Sequence, residues 1–408
     1  MNIRKFVHME YICPPMDRRK FIRDGLLATA GAVTLGSLPS CSGGIVRTGG
    51  GLSGGSTASE GPLELEWEDF TAEMKYTFSI SGSSRDSTPI VLTRLHWCGF
   101  TGYGEASMPP YLGESHASVN AFLRRVRDEV LPGFRDAFLV EDILARVDSL
   151  AGGNCAAKAS VDIALHDLLG KVLGQPWWRI WGFNAQDAPF TCYTIGYDAS
   201  DDIVRKKTSE AAWPHFLKVK LGQTDAEDRR MIRLIREIRP DTPVYVDANQ
   251  GWKDRFYAAE MACWLAENGV VMIEQPMPRD DIEGNAYVNS RSPVPVVADE
   301  SCQRLADIPG LHGAFSGINI KLMKCGGMHE AREMVTLAGA LGMDCMIGCM
   351  TETSVAISAA AQLSPKMRWA DLDGNMLIAN DCFSGMKLKD GRITLGPEPG
   401  IGVTPLQR

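Results

Sequence analysis

Short apolar runs alternate with helical stretches over the second half of the chain. The runs are rich in Val and Ile, as in buried parallel strands, while intervening stretches such as AEDRRMIRLIREIRP and FYAAEMACWLAENG have helical patterning. Strand followed by helix, repeated about eight times, predicts a (β/α)8 barrel of the α/β class. The predicted strands are FTCYTIGY from Phe190, FLKVKLG from Phe216, VYVDAN from Val244, VVMIEQ from Val270, VPVVADE from Val294, GINIKLM from Gly317, MDCMIGC from Met343 and MRWADLD from Met367.

Charged residues recur once every 22 to 27 positions, in or at the end of five of these runs. Charges are rare inside Val/Ile strands, and in a (β/α)8 barrel the residues at the C-terminal strand ends typically perform the catalysis. The sequence therefore predicts an active site at that end of the barrel. The five residues are Lys220, Asp247, Glu274, Asp299 and Lys321.

Three carboxylates, Asp247, Glu274 and Asp299, come from consecutive predicted strands. Carboxylates that converge on one point repel one another unless a cation is present. Oxygen ligands select a hard divalent cation, so we expect one Mg2+ per subunit at these residues, with Mn2+ as a substitute. Asn249 is expected to contact these carboxylates without itself binding the metal.

Two lysines, Lys220 and Lys321, come from the second and sixth strands, which lie opposite one another in a ring of eight. This arrangement suits removal of a proton next to a carboxylate. A cation stabilises the enolate, one lysine removes the α-proton, and the other returns a proton to the opposite face. Without a leaving group the reaction is racemisation or epimerisation; with one, it is elimination or ring opening.

Strand parity places further residues around these lysines. Lys218, two positions before Lys220, is expected to point into the barrel mouth, to lower the pKa of Lys220 and to contact substrate. Asn319 shares a face with Lys321 and is expected to support it. Lys324 lies beyond the strand end and is expected to be a solvated loop charge.

The chain resembles the enolase superfamily and, within its muconate-lactonising subgroup, the dipeptide epimerases. The resemblance extends from about Leu63 to the C-terminus. It is carried by K-x-K at Lys218, D-A-N-Q-G-W from Asp247, I-E-Q-P around Glu274, A-D-E-S around Asp299, N-I-K-L-M-K-x-G-G from Asn319 and ASVDIALHDLLGKVLGQPWWRIWG from Ala159. A member similar to mandelate racemase would carry a His base after the seventh strand, where this chain has MIGCMTET.

The resemblance implies a modified TIM barrel with an α+β capping domain, which the N-terminal part and the C-terminal tail form together. It also implies that the D-x-D of WADLDGN, Asp371 and Asp373, binds the free amine of a dipeptide. The alternative for Asp373, and also for Asp371, is a helix N-cap or a surface turn before Gly374. Thr194, on the first strand, is expected to line the substrate pocket.

Arg85 is the only cation in a Ser- and Gly-rich segment, Thr77–Pro89, that is expected to be the mobile loop of the capping domain. By resemblance to Ala-Glu epimerases, it is a candidate for gripping a carboxylate of the substrate, because Arg suits planar bidentate recognition. The alternative is a solvated loop arginine.

The chain divides by composition into a leader, a linker and a folded enzyme. Arg18 and Arg19 precede an apolar run that ends in LPSC, which resembles a twin-arginine signal with a lipobox at Cys41. This predicts a periplasmic protein or a membrane-anchored lipoprotein; the alternative is a cytoplasmic protein. The expected segments are 1–41 (signal), 42–61 (Gly/Ser-rich linker), 62–185 (capping domain), 186–376 (barrel) and 377–408 (return to the capping domain).

The expected activity is epimerisation of the C-terminal residue of a dipeptide, L-Ala-D/L-Glu or a related one. Alternatives on the same barrel are an N-acylamino acid racemase, a muconate cycloisomerase or an o-succinylbenzoate synthase, whose substrates lack a free ammonium. A non-catalytic dipeptide-binding lipoprotein would be expected to lack a base or a metal ligand. The net charge of −8 and pI near 5.5 argue against nucleic-acid binding. Homo-oligomers are common in the superfamily, but the sequence reveals no interface.

Overall fold

An antiparallel sheet opens the part of the chain that this computed structural model describes, residues 60–80, 83–211 and 215–407. The predicted signal with Arg18, Arg19 and Cys41, and nearly all of the predicted linker, lie outside the described residues. The sheet consists of β1 (Glu64–Ile80), β2 (Ser83–Trp97) and β3 (Phe100–Ser107), and it is followed by α1 (His116–Arg125), α2 (Val140–Ser149), α3 (Cys155–Leu173) and α4 (Trp177–Ile180).

The segment Thr77–Pro89 is mostly strand, so the prediction that it forms a loop is wrong, while its mobility stays a prediction. β1 continues to Ile80 and β2 begins at Ser83, with Phe78 opposite Arg85. Antiparallel pairing gives the backbone N–H and C=O groups partners, and this tertiary context overrides the low strand propensity of a Ser-rich sequence.

Eight parallel strands form the predicted barrel, and their order in the sheet follows the chain. The first and last strands meet where Thr191 pairs with Ala370 and where Cys192 N donates to Ala370 O at 3.1 Å. The fold class is thus confirmed. The strands are β4 (Tyr193–Ile195), β5 (Leu217–Lys220), β6 (Val244–Asp247), β7 (Val270–Glu274), β8 (Val296–Ala298), β9 (Gly317–Ile320), β10 (Asp344–Gly348) and β11 (Trp369–Asp371).

Helices connect the barrel strands. The second of them shows why they form: Thr224 and Glu227 make a capping box at its start, and its Met231, Ile232 and Ile235 are buried. The helices are α5 (Asp201–Glu210), α6 (Asp225–Ile238), α7 (Arg255–Glu267), α8 (Ile282–Arg291), α9 (Ile308–Leu311), α10 (Leu322–Cys325), α11 (Met328–Ala340) and α12 (Ser354–Ala361). None of the helices in the described ranges has both the length and the apolar character required to cross a bilayer.

After the barrel the chain runs back along β1. Lys75 N donates to Leu377 O at 2.9 Å, and Ala379 N donates to Glu73 O at 2.7 Å. Two small antiparallel pairs complete this segment: β12 (Phe383–Ser384) with β15 (Thr404–Pro405), and β13 (Lys387–Lys389) with β14 (Arg392–Thr394).

Carboxylates from the N-terminal half cap two barrel helices. Asp162 in α3 accepts hydrogen bonds from Met328 N (2.5 Å) and His329 N (3.1 Å) at the start of α11. Glu105 in β3 accepts hydrogen bonds from Thr353 N (2.9 Å) and Ala356 N (3.1 Å) at the start of α12. Free N–H groups at helix N-termini favour such acceptors, so these contacts dock the capping sheet and α3 onto the helices that follow β9 and β10.

Glu105 is fully buried, and this makes stability depend on pH. Burial and the neighbouring Glu352 raise the pKa of Glu105 to about 8, despite its hydrogen bonds. A raised carboxyl pKa means that the folded chain binds the proton more tightly than the unfolded chain, so stability is lost as pH rises between about 4.5 and about 8.

We expect Glu105→Gln to remove this pH dependence. Its Tm relative to the wild type should rise by a few degrees between pH 5 and pH 8, as measured by calorimetry. The remote Glu267→Gln, on an exposed position at the end of α7, is the matched control and should show no such trend. A Tm difference that is constant with pH would contradict the expectation.

Candidate active site

Three carboxylates meet at the C-terminal ends of neighbouring barrel strands. Asp247 ends β6, Glu274 ends β7 and Asp299 directly follows β8. All three are buried, and each offers an oxygen that lies within 4.8 Å of the others. Across the residues that the structure describes, no other group of three or more His, Cys, Asp or Glu side chains converges in this way.

The surroundings of these carboxylates fit a divalent cation. Glu274 Oε2 lies 2.7 Å from Lys218 Nζ but without hydrogen-bond geometry, and Asn249 Oδ1 and Asn319 Oδ1 are buried without a donor. Buried oxygens without donors are costly unless a cation or ordered water meets them. Oxygen donors of this kind suit Mg2+, which would be held by Asp247, Glu274 and Asp299.

The two supporting amides behave differently from one another. Asn319 Nδ2 donates to Glu274 Oε1 at 2.7 Å, so it holds a metal-site carboxylate directly. Asn249 donates instead to Glu300 Oε1 at 3.3 Å, while its backbone N–H donates to Asp247 Oδ1 at 2.9 Å. Glu300 was not singled out by the sequence, although it directly follows Asp299.

The opposed lysines flank the carboxylates. Lys220 Nζ lies 2.7 Å from Asp247 Oδ2, and Lys321 Nζ lies 2.8 Å from Asp299 Oδ2. Burial alone would raise the pKa of Asp247, but Lys220 and Lys218 outweigh it and lower the pKa to about 2. Burial would likewise lower the pKa of Lys321, but Asp299 outweighs it and raises that pKa well above its ordinary value.

Lys218 is buried and contacts both the D-x-D and two of the metal-site carboxylates. Its Nζ lies 2.6 Å from Asp371 Oδ2, 2.7 Å from Glu274 Oε2 and 3.2 Å from Asp247 Oδ2. Burial would lower the pKa of Lys218, but these carboxylates together raise it well above its ordinary value. Lys218 is therefore a fixed cation that links the D-x-D to the metal carboxylates.

Lys324 is buried, so the prediction of a solvated loop charge is wrong. Its Nζ lies 2.5 Å from Asp299 Oδ1 and 3.0 Å from Asn319 O. The reason is local: Lys321 stands at the N-cap of the one-turn helix α10, which places Lys324 three residues later on the same face. Both oxygens of Asp299 thus contact lysines.

The two D-x-D carboxylates have different partners. Asp371 accepts from Lys218 Nζ, and Cys192 Sγ donates to its Oδ1 at 3.2 Å. Asp373 Oδ2 accepts from Thr194 N at 2.8 Å, and although Asp373 occupies the N-cap position of a short 3-10 helix, its side chain makes no capping bond. Burial raises the pKa of Asp371, but Lys218 outweighs it and lowers that pKa.

Asp373 has fewer contacts with cations than Asp371, and it therefore holds its proton more tightly. Burial and the charge of Asp371 raise the pKa of Asp373 to about 7. Both carboxylates line the cavity, but only Asp371 is paired with a lysine, so an ammonium group that enters there would meet in Asp373 a carboxyl group whose partner is a backbone N–H.

A cavity of about 550 Å3 connects these groups. Arg85 reaches into it from β2, and its Nη2 donates to Thr351 Oγ1 at 2.9 Å, in the segment after β10. Tyr111, which no sequence pattern singled out, also lines the cavity, and its hydroxyl lies 2.8 Å from Met350 Sδ. Other lining residues are Thr194, Lys218, Lys220, Asn249, Asp299, Lys321, Lys324, Asp371 and Asp373.

Family models match most of the chain. Residues 67–182 match the mandelate racemase/muconate lactonizing enzyme N-terminal domain, and residues 204–408 match the enolase C-terminal domain-like family.

Individual relatives are similar over most of the chain. The L-Ala-D/L-Glu epimerase of Bacteroides thetaiotaomicron is 55% identical over 344 residues, which cover 84% of this chain and 88% of that protein. The L-Ala-D/L-amino acid epimerase of a Maribacter species is 38% identical, with coverage of 84% and 99%. Among solved structures, the dipeptide epimerase of Enterococcus faecalis complexed with Mg and L-Leu-L-Tyr is similar at a TM-score of 0.78 and 29% identity, covering 85% of this chain and 99% of that one.

Metal binding should stabilise the folded chain. Mg2+ at about 100 times its Kd should raise the free energy of unfolding by about 2.7 kcal/mol, because it binds only the folded state, and Asp247→Asn should abolish this response in a thermal melt. Asp254→Asn, which keeps a good N-cap on α7, is the control and should retain it. A full Mg2+ response in Asp247→Asn would contradict the assignment.

Proposed function

The chain belongs to the dipeptide epimerases of the enolase superfamily, and on this basis we propose that it inverts the α-carbon of the C-terminal residue of a dipeptide, L-Ala-D/L-Glu or a related one. The observation that carries this proposal is the placement of two opposed amines around one group of carboxylates. Lys220 and Lys321 contact the outer two carboxylates of the group, Asp247 and Asp299.

The metal supplies one part of this chemistry. Asp247, Glu274 and Asp299 would hold Mg2+, which would supply Lewis-acid stabilisation for the negative charge that develops on the substrate carboxylate. The ion pairs of Lys220 and Lys321 involve oxygens of the same carboxylates. A cation held by these carboxylates would compete with the lysines for the carboxylate charge, which would leave the two amines available for proton transfer.

The lysines then exchange the α-proton from opposite faces. One lysine in its neutral form accepts the proton at Nζ, and the other in its ammonium form delivers a proton from its own Nζ, which inverts the carbon. In the reverse direction the two lysines exchange these roles. Each lysine thus serves as base for one stereoisomer and as acid for the other.

We assign to the D-x-D, Asp371 and Asp373, the binding of the substrate amine. Asp371 is already paired with Lys218, whereas Asp373 contacts the backbone N–H of Thr194, so Asp373 offers the less compensated charge. Two buried carboxylates favour a free ammonium over an acylated nitrogen. This supports a dipeptide over the substrates of an N-acylamino acid racemase or a muconate cycloisomerase.

We assign to Arg85 the binding of the substrate side chain. This guanidinium lies in the same cavity as the lysines, is held by Thr351 and comes from the capping sheet rather than the barrel. Burial lowers the pKa of Arg85, which indicates a partly desolvated cation. A desolvated guanidinium favours a bidentate carboxylate partner, as in a glutamate side chain.

Hydrogen exchange in D2O tests the two-base mechanism. With Mg2+ and L-Ala-L-Glu or L-Ala-D-Glu, the wild type should place deuterium at the glutamate α-carbon and invert it, as followed by NMR. Lys220→Ala and Lys321→Ala should each lower inversion by about 10²- to 10⁴-fold. Each should keep deuterium exchange without inversion for one isomer only, and the two variants should keep opposite isomers.

Lys387→Ala, on β13, is the matched lysine control for that experiment and should exchange and invert as the wild type does. Loss of exchange for both isomers in both lysine variants would contradict separate bases for the two faces. Absence of exchange with every dipeptide, combined with turnover of N-acyl amino acids, would overturn the substrate assignment.

Substitution of Arg85 tests the side-chain assignment. Arg85→Met should lower kcat/KM for L-Ala-L-Glu by about 10- to 100-fold, as expected for the loss of a charged hydrogen bond, and should change turnover of L-Ala-L-Leu much less. Arg94→Met, on the same strand but paired with Glu68, is the control. An equal loss for both substrates would mean that Arg85 acts through Thr351 and not through the side chain of the substrate.

A further inference from the structure

Left-handed backbone conformations cluster beside the metal carboxylates. Six non-Gly residues in the described ranges have positive φ, and three of them lie within three positions after a metal-binding carboxylate. They are Asn249 (φ 43°), Gln250 (φ 65°) and Gln275 (φ 36°). Such conformations cost about 1–3 kcal/mol each and persist only where the surroundings enforce them, often at functional sites.

Four hydrogen bonds fix the orientation of the Gln275 side chain. The residue is completely buried. Its Oε1 accepts from Asp299 N (3.0 Å) and Ser301 N (3.0 Å), while its Nε2 donates to Met277 O (3.0 Å) and Ser301 Oγ (2.9 Å). Backbone N–H groups can only donate and carbonyls only accept, so this network fixes which end of the amide is oxygen.

The backbone of Gln275 adds two further bonds. Its N–H donates to Val297 O at 2.9 Å, and its C=O accepts from Gln250 N at 2.9 Å. One residue therefore adjoins Glu274 in the chain, contacts the backbone of Asp299 and contacts the segment three positions after Asp247. Its polar groups link the ends of all three strands that carry metal ligands.

We propose that Gln275 is a positioning residue that fixes the three metal-binding carboxylates relative to one another. The required conformation is strained, but it places the amide where the N–H of Asp299 can reach it. Without the amide, the backbone donors of Asp299 and Ser301 lose their acceptor, and the Asp299 segment can move relative to Glu274. Residues that orient metal ligands typically change metal affinity by about 10- to 100-fold when they are replaced.

Two substitutions separate the amide from the backbone strain. Gln275→Gly relieves the cost of positive φ but removes the amide, whereas Gln275→Met keeps the side-chain length and the strain and also removes the amide. Both should raise the Kd for Mg2+ by about 10- to 100-fold, measured by titration calorimetry on the full chain without substrate. The apo Tm of each variant should lie well above the temperature of the titration.

Asp390→Gly is the matched control, because Asp390 has φ 51° at the turn between β13 and β14 and contacts no metal ligand. Its Kd for Mg2+ should equal that of the wild type.

Unchanged Mg2+ affinity in both Gln275 variants would overturn the proposal. Normal affinity in Gln275→Gly alone would overturn it as well, because the backbone and not the amide would then be decisive. If Gln275→Met fails to fold, the glycine variant decides. The titration contains no dipeptide, so a failure of the proposed epimerase activity leaves this result interpretable.

Discussion

Mutual repulsion among three buried carboxylates is the constraint on which the rest of this molecule depends. Asp247, Glu274 and Asp299 offer oxygens within 4.8 Å of one another, and such a group is unstable without compensating cations. Four lysines form ion pairs with these carboxylates, at positions 218, 220, 321 and 324. Two of these lysines are also the assigned bases. The groups that neutralise the site are thus the same groups that move the proton, and neither role can be altered without the other.

The capping domain is coupled to this site through helix termini. Asp162 and Glu105 accept the free N–H groups of α11 and α12, the helices after β9 and β10. Those helices follow the strand that leads to Lys321 and the strand whose loop carries Thr351. Arg85 can therefore reach Thr351 from a different domain, because the docking contacts hold that domain against this part of the barrel.

The periodic features of the sequence predicted the barrel, its eight strands and the five charged residues at its mouth, because a buried parallel strand leaves a continuous apolar signature. Features set by tertiary contacts were not predictable. Lys324 is buried because a single helical turn follows the strand, and most of the described part of Thr77–Pro89 is strand because β2 pairs with β1. The role of Gln275 depends on a positive φ, for which the I-E-Q-P motif gives no local signal.

The D-x-D lies at the seam where the barrel closes. Cys192 donates to Asp371 and Thr194 donates to Asp373, and in each pair the partners are 179 positions apart in the chain. The ends of the long intervening segment must be brought together, at a cost in chain entropy, before these contacts can form. During synthesis, the carboxylates at 247, 274 and 299 all emerge while the eighth strand is still missing. Ring closure therefore also completes the wall to which we assign the substrate amine, and a chain that stops before the eighth strand has the three carboxylates but neither residue of the D-x-D.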